Sequence, residues 1–124
     1  MPDPIAQFAN AKYLNLETFR KTGTGVRTPV WFAQEKDLFY IYTLPDAGKT
    51  KRIRNNPKVR IAPCDMRGNL RGAWVEARAR ICDGSEAAHG QKLLRQRYGW
   101  MKIIGDFFSR MRGRTQVVIA IEMD

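Results

Sequence analysis

The chain has 124 residues, 44% of them apolar, and carries 22 lysines and arginines against 12 aspartates and glutamates, a formal net charge of +10. That length suits a single domain, residues 1–124, whose modest core dimerisation would help, and no apolar run approaches the roughly 20 residues of a membrane helix. The charge calls for an anionic partner, whether nucleic acid, an acidic membrane surface, a phosphorylated cofactor or a polyacidic small molecule, and does not choose among them.

The opening stretch "MPDPIAQFANAK" has no basic segment followed by an apolar one, so no secretory signal is expected. Cys64 and Cys82 form no CxxC pair and read as reduced thiols of a cytoplasmic protein. Within that stretch "DPIAQFANAK" predicts a short helix, with Asp3 as cap, Pro4 at its first position and Ile5, Phe8 and Ala9 facing inward. Two β-rich runs follow in "YLNLETFRKTGTGVRTPVWFA", divided by the hairpin signal "KTGTG". After a tight turn at "KDL" comes "LFYIYTLP", apolar enough for a strand buried on both faces. These make three consecutive antiparallel strands.

"GKTKRIRNNP", residues 48–57, predicts a short helix with Gly48 in the loop before it, Thr50 able to cap it, Ile53 as its apolar anchor and Pro57 as its stop. "KVRIAPCD" is a fourth strand and "MRGNLRGA" a loop or hairpin tip. "WVEARARIC" is a fifth strand, with Val75, Ala77, Ala79 and Ile81 on one face and Glu76, Arg78 and Arg80 on the other. "SEAAHGQKLLRQRYG" is a helix with Ser85 as N-cap and Gly99 as stop, and "WMKIIGDFFSRM" a second helix interrupted by Gly105. "TQVVIAIEMD" closes as a sixth strand with Val117, Ile119, Ile121 and Met123 on one face. Six strands without βαβ alternation predict a mainly β, α+β domain, a six-stranded antiparallel barrel or sandwich with short helices and not a Rossmann-type sheet.

Several chemistries fail on residue type or spacing. The tripeptide Gly48-Lys49-Thr50 is how a P-loop ends, but the required glycine five positions earlier is Thr43. His89 is the only histidine, on a polar helix face, and no His, Cys, Asp or Glu cluster has metal-ligand spacing. Reactive chemistry, if there is any, comes from a bound cofactor. Lys49, Lys51 and Arg52 crowd the end of a helix that already carries partial positive charge, which is unfavourable without an anion and favourable with one. An ordinary basic surface helix is the plainer account. Its place directly after the aromatic "FYIYT" favours a flat aromatic cofactor with a phosphate tail. Trp31, Tyr40 and Tyr42 would support a rival nucleic-acid-binding module by stacking on bases, or else belong to the barrel core. A carrier or sensor without turnover stays open too.

The segment from Lys12 to Ile81 resembles the pyridoxamine 5′-phosphate oxidase-like superfamily, most closely its deazaflavin (coenzyme F-420)-dependent oxidoreductase branch. The "TPVWF" strand, the "YT…GKTKRIRNNPKV" segment and the "APCDMRGNLRG" loop carry the resemblance, which continues more weakly through "RYGW" and the last strand. It implies a split β-barrel homodimer that binds FMN or the deazaflavin at the subunit interface and acts on a small organic substrate, with no nucleic acid or membrane partner. By the same resemblance Lys49 contacts the cofactor phosphate, supported by Lys51 and Arg52, with Thr43 nearby. Arg27, Thr28, Pro29, Val30 and Trp31 lie along the ring, largely through backbone groups, and Trp74 is a contribution of the partner subunit. No catalytic side chain is implied, since hydride transfer belongs to the cofactor. The chain lacks the arginine- and histidine-rich C-terminal segment that would recognise pyridoxal phosphate, which speaks against vitamin B6 oxidation. The excess positive charge favours the deazaflavin, with its phosphate and polyglutamate tail, over FMN.

Overall fold

The computed structural model describes residues 4–43, 47–98 and 117–123. A 3-10 turn at Ala6–Phe8 precedes β1 (Tyr13–Phe19), β2 (Gly25–Trp31), β3 (Ala33–Glu35), β4 (Leu38–Thr43), α1 (Gly48–Asn55), β5 (Lys58–Cys64), β6 (Val75–Ile81), α2 (Gly84–Tyr98) and β7 (Val117–Met123). All seven strands belong to one antiparallel sheet in the order β2-β1-β5-β6-β7-β4-β3. Asp3, Gly99, the helix expected over "WMKIIGDFFSRM" and the start of the last run lie outside the described residues.

The expected six strands become seven because "VRTPVWFA" divides at Phe32. Its first part, β2, pairs with β1 at one edge of the sheet, and its second part, β3, pairs with β4 at the other. The expected three-stranded meander is therefore corrected to two hairpins, since β2 and β4 are not neighbours. One residue separates the two edges along the chain, so the sheet must curl until they meet. Side-chain alternation survives the division. Phe32 points inward and packs against Phe8 and Phe39, at centroid distances of 6.0 and 5.7 Å, while Trp31 and Ala33 point outward.

Two apolar layers result. The barrel interior holds Phe8, Leu14, Leu16, Phe32, Phe39 and Ile41, completed by residues of β5, β6 and β7 and by Ile53 of α1. A second layer, built on Ala33, Tyr40, Cys82, Leu94, Val118 and Ala120, lies between the sheet and α2. As expected, β4 is buried on both faces, and so is β7, for which the sequence pattern indicated one face. Gly90 permits the close approach of α2: a Cβ there would stand 2.7 Å from Val118 Cγ1 and 2.8 Å from the Tyr40 ring. The alternation expected along β6 is present, with Ala77 and Ala79 buried and Glu76, Arg78 and Arg80 exposed.

Local signals are less exact at the helices. Ala9 is exposed, because the N-terminal turn is 3-10 and ends at Phe8. Thr50 does not cap α1. The helix begins two residues earlier, from Ala47, with no side-chain cap, and Thr50 points into the barrel. Ser85 lies inside the first turn of α2, which begins at Gly84. Among the described residues no helix is long and apolar enough to cross a membrane.

Candidate functional site

Strand β4 delivers the chain to the start of α1, and the basic residues divide there. Thr50, 0% exposed, donates its hydroxyl hydrogen to Thr43 Oγ1 at 3.3 Å, which ties the first turn of the helix to the end of the strand. Arg52 folds back over that turn. Its Nη1 comes within 2.8 Å of where a Gly48 Cβ would be, and its Nε donates to Thr18 Oγ1 at 2.6 Å. Lys49 is half-buried, and among the described residues no carboxylate pairs with it. Burial first, and the Arg52 charge second, hold the Lys49 ammonium below its usual range. Burial and Arg20 do the same to Arg52.

These side chains surround a helix start that its N-cap residue, Ala47, leaves without a side-chain cap. Two desolvated cations, buried hydroxyls and the backbone N–H groups of a helix start together form a donor set that fits an oxyanion and suits no metal ion. Lys51 lies on the exposed face of α1, away from this cluster, and Arg54 is exposed near the helix C-terminus. Their charges contribute field rather than contact.

The stretch Arg27–Trp31 spreads over both faces of β2. Thr28 and Val30 stand opposite Leu16 and Leu14 on the inner side, whereas Arg27, Pro29 and Trp31 stand opposite Glu17, Asn15 and Tyr13 on the outer side. Only the backbone of this strand is common to all five. On the outer side Glu17, 4% exposed, accepts from Arg27 Nε at 2.9 Å and from Arg60 Nε at 2.6 Å. Burial alone would raise the Glu17 pKa; the two guanidinium groups overcome it and keep the carboxyl below its usual range. Trp74 lies beneath both arginines, 4.9 Å from Arg27 and 5.1 Å from Arg60. Next to this cluster Asn15 donates to the Gly68 carbonyl at 3.1 Å, while its own Oδ1 is buried without a donor among the described residues.

The structure therefore brings Lys49, Arg52 and Thr43 together at one end of α1 and joins Arg27 to Trp74 on the outer sheet face. Nothing in it groups Lys51 with either. Thr18, Glu17, Thr50 and Arg60 carry no sequence signal that marks them as part of a site. The alternation of "YLNLETF" puts Glu17 on one face of its strand, but its two arginines come from other strands and only the sheet register reveals them.

Other candidates settle into structural roles. Cys64 is buried, and burial with Asp65 nearby pushes its thiol up to about 11; Cys82 is buried too, and burial with Glu86 pushes it up to about 12. His89 is exposed and lies 2.9 Å from Glu35 Oε1. Among the described residues no group of three or more His, Cys, Asp or Glu side chains could hold a metal. Tyr40 is buried under α2, and Trp31 and Tyr42 pack against the same layer, so these aromatics join the apolar packing between sheet and helix and not the barrel core that the sequence suggested.

A family model described as pyridoxamine 5′-phosphate oxidase matches residues 1–123. No curated protein sequence matches the chain. Among solved structures the chain is similar to a conserved hypothetical protein from Mycobacterium tuberculosis, at 23% identity and a TM-score of 0.71 over 99% of this chain and 81% of that one. It is similar to an F420-H2 dependent reductase at 18% identity and a TM-score of 0.68, over 90% of this chain and 94% of that one. It is also similar to HutZ, the haem storage protein from Vibrio cholerae, at 14% identity and a TM-score of 0.69, over 96% and 86% of the two chains. Identities this low establish a shared fold and leave activity open. With the family model extending over nearly the whole chain, this curled antiparallel barrel belongs to the pyridoxamine 5′-phosphate oxidase family.

Proposed function

We propose that the protein is an oxidoreductase that moves a hydride between a flavin-type cofactor, FMN or the deazaflavin coenzyme F-420, and a small organic substrate. It does so as a homodimer with the cofactor at the subunit interface. The observation that carries this reading is Lys49: a half-buried cation, without an acidic partner among the described residues, beside an uncapped helix start and Arg52. A phosphate on those donors would convert an unfavourable local charge arrangement into a favourable one.

Lys49 and Arg52 hold the phosphate, and the Thr43–Thr50 hydroxyl contact fixes the helix start that presents the backbone donors. The β2 backbone from Arg27 to Trp31 flanks the ring, which agrees with the division of its side chains between two faces. Trp74, held by Arg27 and Arg60, offers an aromatic edge from the outer face. The bound cofactor supplies the hydride chemistry, and the protein binds, orients and excludes water. Similarity of fold to an F420-H2 dependent reductase and the net charge of +10 support the deazaflavin over FMN.

The test is an absorption spectrum of the purified protein with mass identification of any released chromophore, followed by titration of the stripped protein with each cofactor. Failure to bind either one refutes the proposal.

A further inference from the structure

A separate cavity, of about 480 Å³, lies between the N-terminal turn and the loop that follows β5. Both walls are fixed. The Gln7 side-chain amide donates to the Ala73 carbonyl at 2.9 Å and accepts from the Ala73 N–H at 3.0 Å, clasping turn to loop. Asp65 organises the loop itself by accepting from the Arg67 and Asn69 N–H groups and from Asn69 Nδ2, each at 2.9 Å. The cavity is thus built into the fold, within the size range of small-molecule sites.

Its lining is chemically uneven. Tyr13, Pro63, Cys64 and Met66 give it an apolar side, and Met66 is 67% exposed. Lys12 and Arg71 supply positive charge at the rim. Arg71 is held loosely: its guanidinium reaches Asp65 Oδ2 only at 3.8 Å, and its side chain is mostly exposed. The Asp65 carboxylate is occupied by its three hydrogen bonds but still opposes a second negative charge on a ligand. One negative charge with an apolar body fits this lining; a phosphate dianion fits it poorly.

Position connects the cavity to the strand assigned to the cofactor ring. Tyr13 stands directly opposite Trp31 on β2, with ring centroids 6.1 Å apart, and opposite Cys64 on β5. We propose that this cavity takes the organic substrate, as a small monocarboxylate with an aromatic or unsaturated body, and that Arg71 recognises the carboxylate. The role as substrate site rests on the oxidoreductase reading; the selectivity for such an anion does not.

Calorimetric titration with trans-cinnamate and with its neutral counterpart trans-cinnamamide tests it. Cinnamate should bind more tightly by about fivefold or more, the scale of a charge-assisted contact at a partly exposed site. Arg71→Gln should bring the two ligands to parity, while Lys21→Gln, which removes a remote exposed charge, should leave the preference intact. Arg71→Gln should also retain the wild-type affinity for FMN and for the deazaflavin. Absence of cinnamate binding, absence of a preference, or a preference that survives Arg71→Gln overturns the proposal. Failure of the wild type to bind either cofactor would instead refute the oxidoreductase reading, with the cinnamate preference still deciding the chemistry of the cavity.

Discussion

Replacing Lys49 with methionine should move stability and cofactor affinity in opposite directions. Methionine keeps a long apolar stem and loses the charge. In the cofactor-free protein the ammonium is penalised by burial and by Arg52, so its pKa falls below 10.5. The unfolded chain keeps its proton up to that higher value. At neutral pH both states are protonated, and the folded state carries the whole penalty. Lys49→Met should therefore stabilise the cofactor-free protein, by about 0.5–2 kcal/mol if it behaves like other removals of unfavourable functional groups. Binding should suffer in turn. A charge-assisted hydrogen bond to phosphate contributes about 1.5–3 kcal/mol, so the dissociation constant should rise roughly 10- to 150-fold. Wild-type affinity should also weaken as pH rises through the lowered Lys49 pKa, and the methionine variant should lack that component. Urea denaturation of the cofactor-free proteins and fluorescence titration with FMN and the deazaflavin provide both quantities. A variant that is less stable, or that binds as tightly as the wild type, would refute the assignment of Lys49.

Glu17→Gln should cost about 2–3 kcal/mol at neutral pH, below the full cost of breaking a buried ion pair because both arginines are partly exposed. The Glu17 pKa is depressed from 4.5, so its stabilisation is present above that pH and fades as pH falls through the folded value. Parallel denaturation series should show the gap between variant and wild type closing in acid, and a gap independent of pH would contradict the ion cluster. Gly90→Ala should destabilise the protein despite a helix-propensity gain of up to about 1 kcal/mol. The added methyl meets buried Val118 and Tyr40, and such overpacking costs about 1–3 kcal/mol; a rise in melting temperature would show that α2 sits farther from the sheet. Cys64 and Cys82, with thiols pushed up to about 11 and about 12, should resist iodoacetamide at pH 8 until the protein unfolds. Rapid labelling of the native protein, read by mass spectrometry, would contradict their burial.

Elements with strong local patterns are legible in the residues alone: the alternation of Val75–Ile81 and the two-sided burial of Leu38–Thr43 appear where the pattern indicates, and the short basic helix is present too, although it starts at Gly48, ahead of the expected cap. The division at Phe32 is not legible, because side-chain alternation continues unbroken through it and only the pairing partner changes. Thr50 misleads for a related reason. Threonine is common at helix starts, but here an apolar barrel end and the Thr43 hydroxyl accept it one turn inside. At the candidate site, Lys49 and Arg52 stand out because local sequence concentrates them. Glu17, Arg60 and Thr18 do not, because what gives them meaning is contact across strands and across the β1–α1 junction.

The passage through Phe32 makes the barrel unequal in its tolerance of a cut. A nick in the exposed turn around Gly23 would leave β1 and β2 still bonded to each other through their register from Tyr13–Trp31 to Phe19–Gly25. A nick at Phe32 would sever the covalent strap joining the two rims. Circular permutants opened at the first position should close into the native barrel, and those opened at the second should leave a gaping sheet whose freed edges pair with neighbouring molecules.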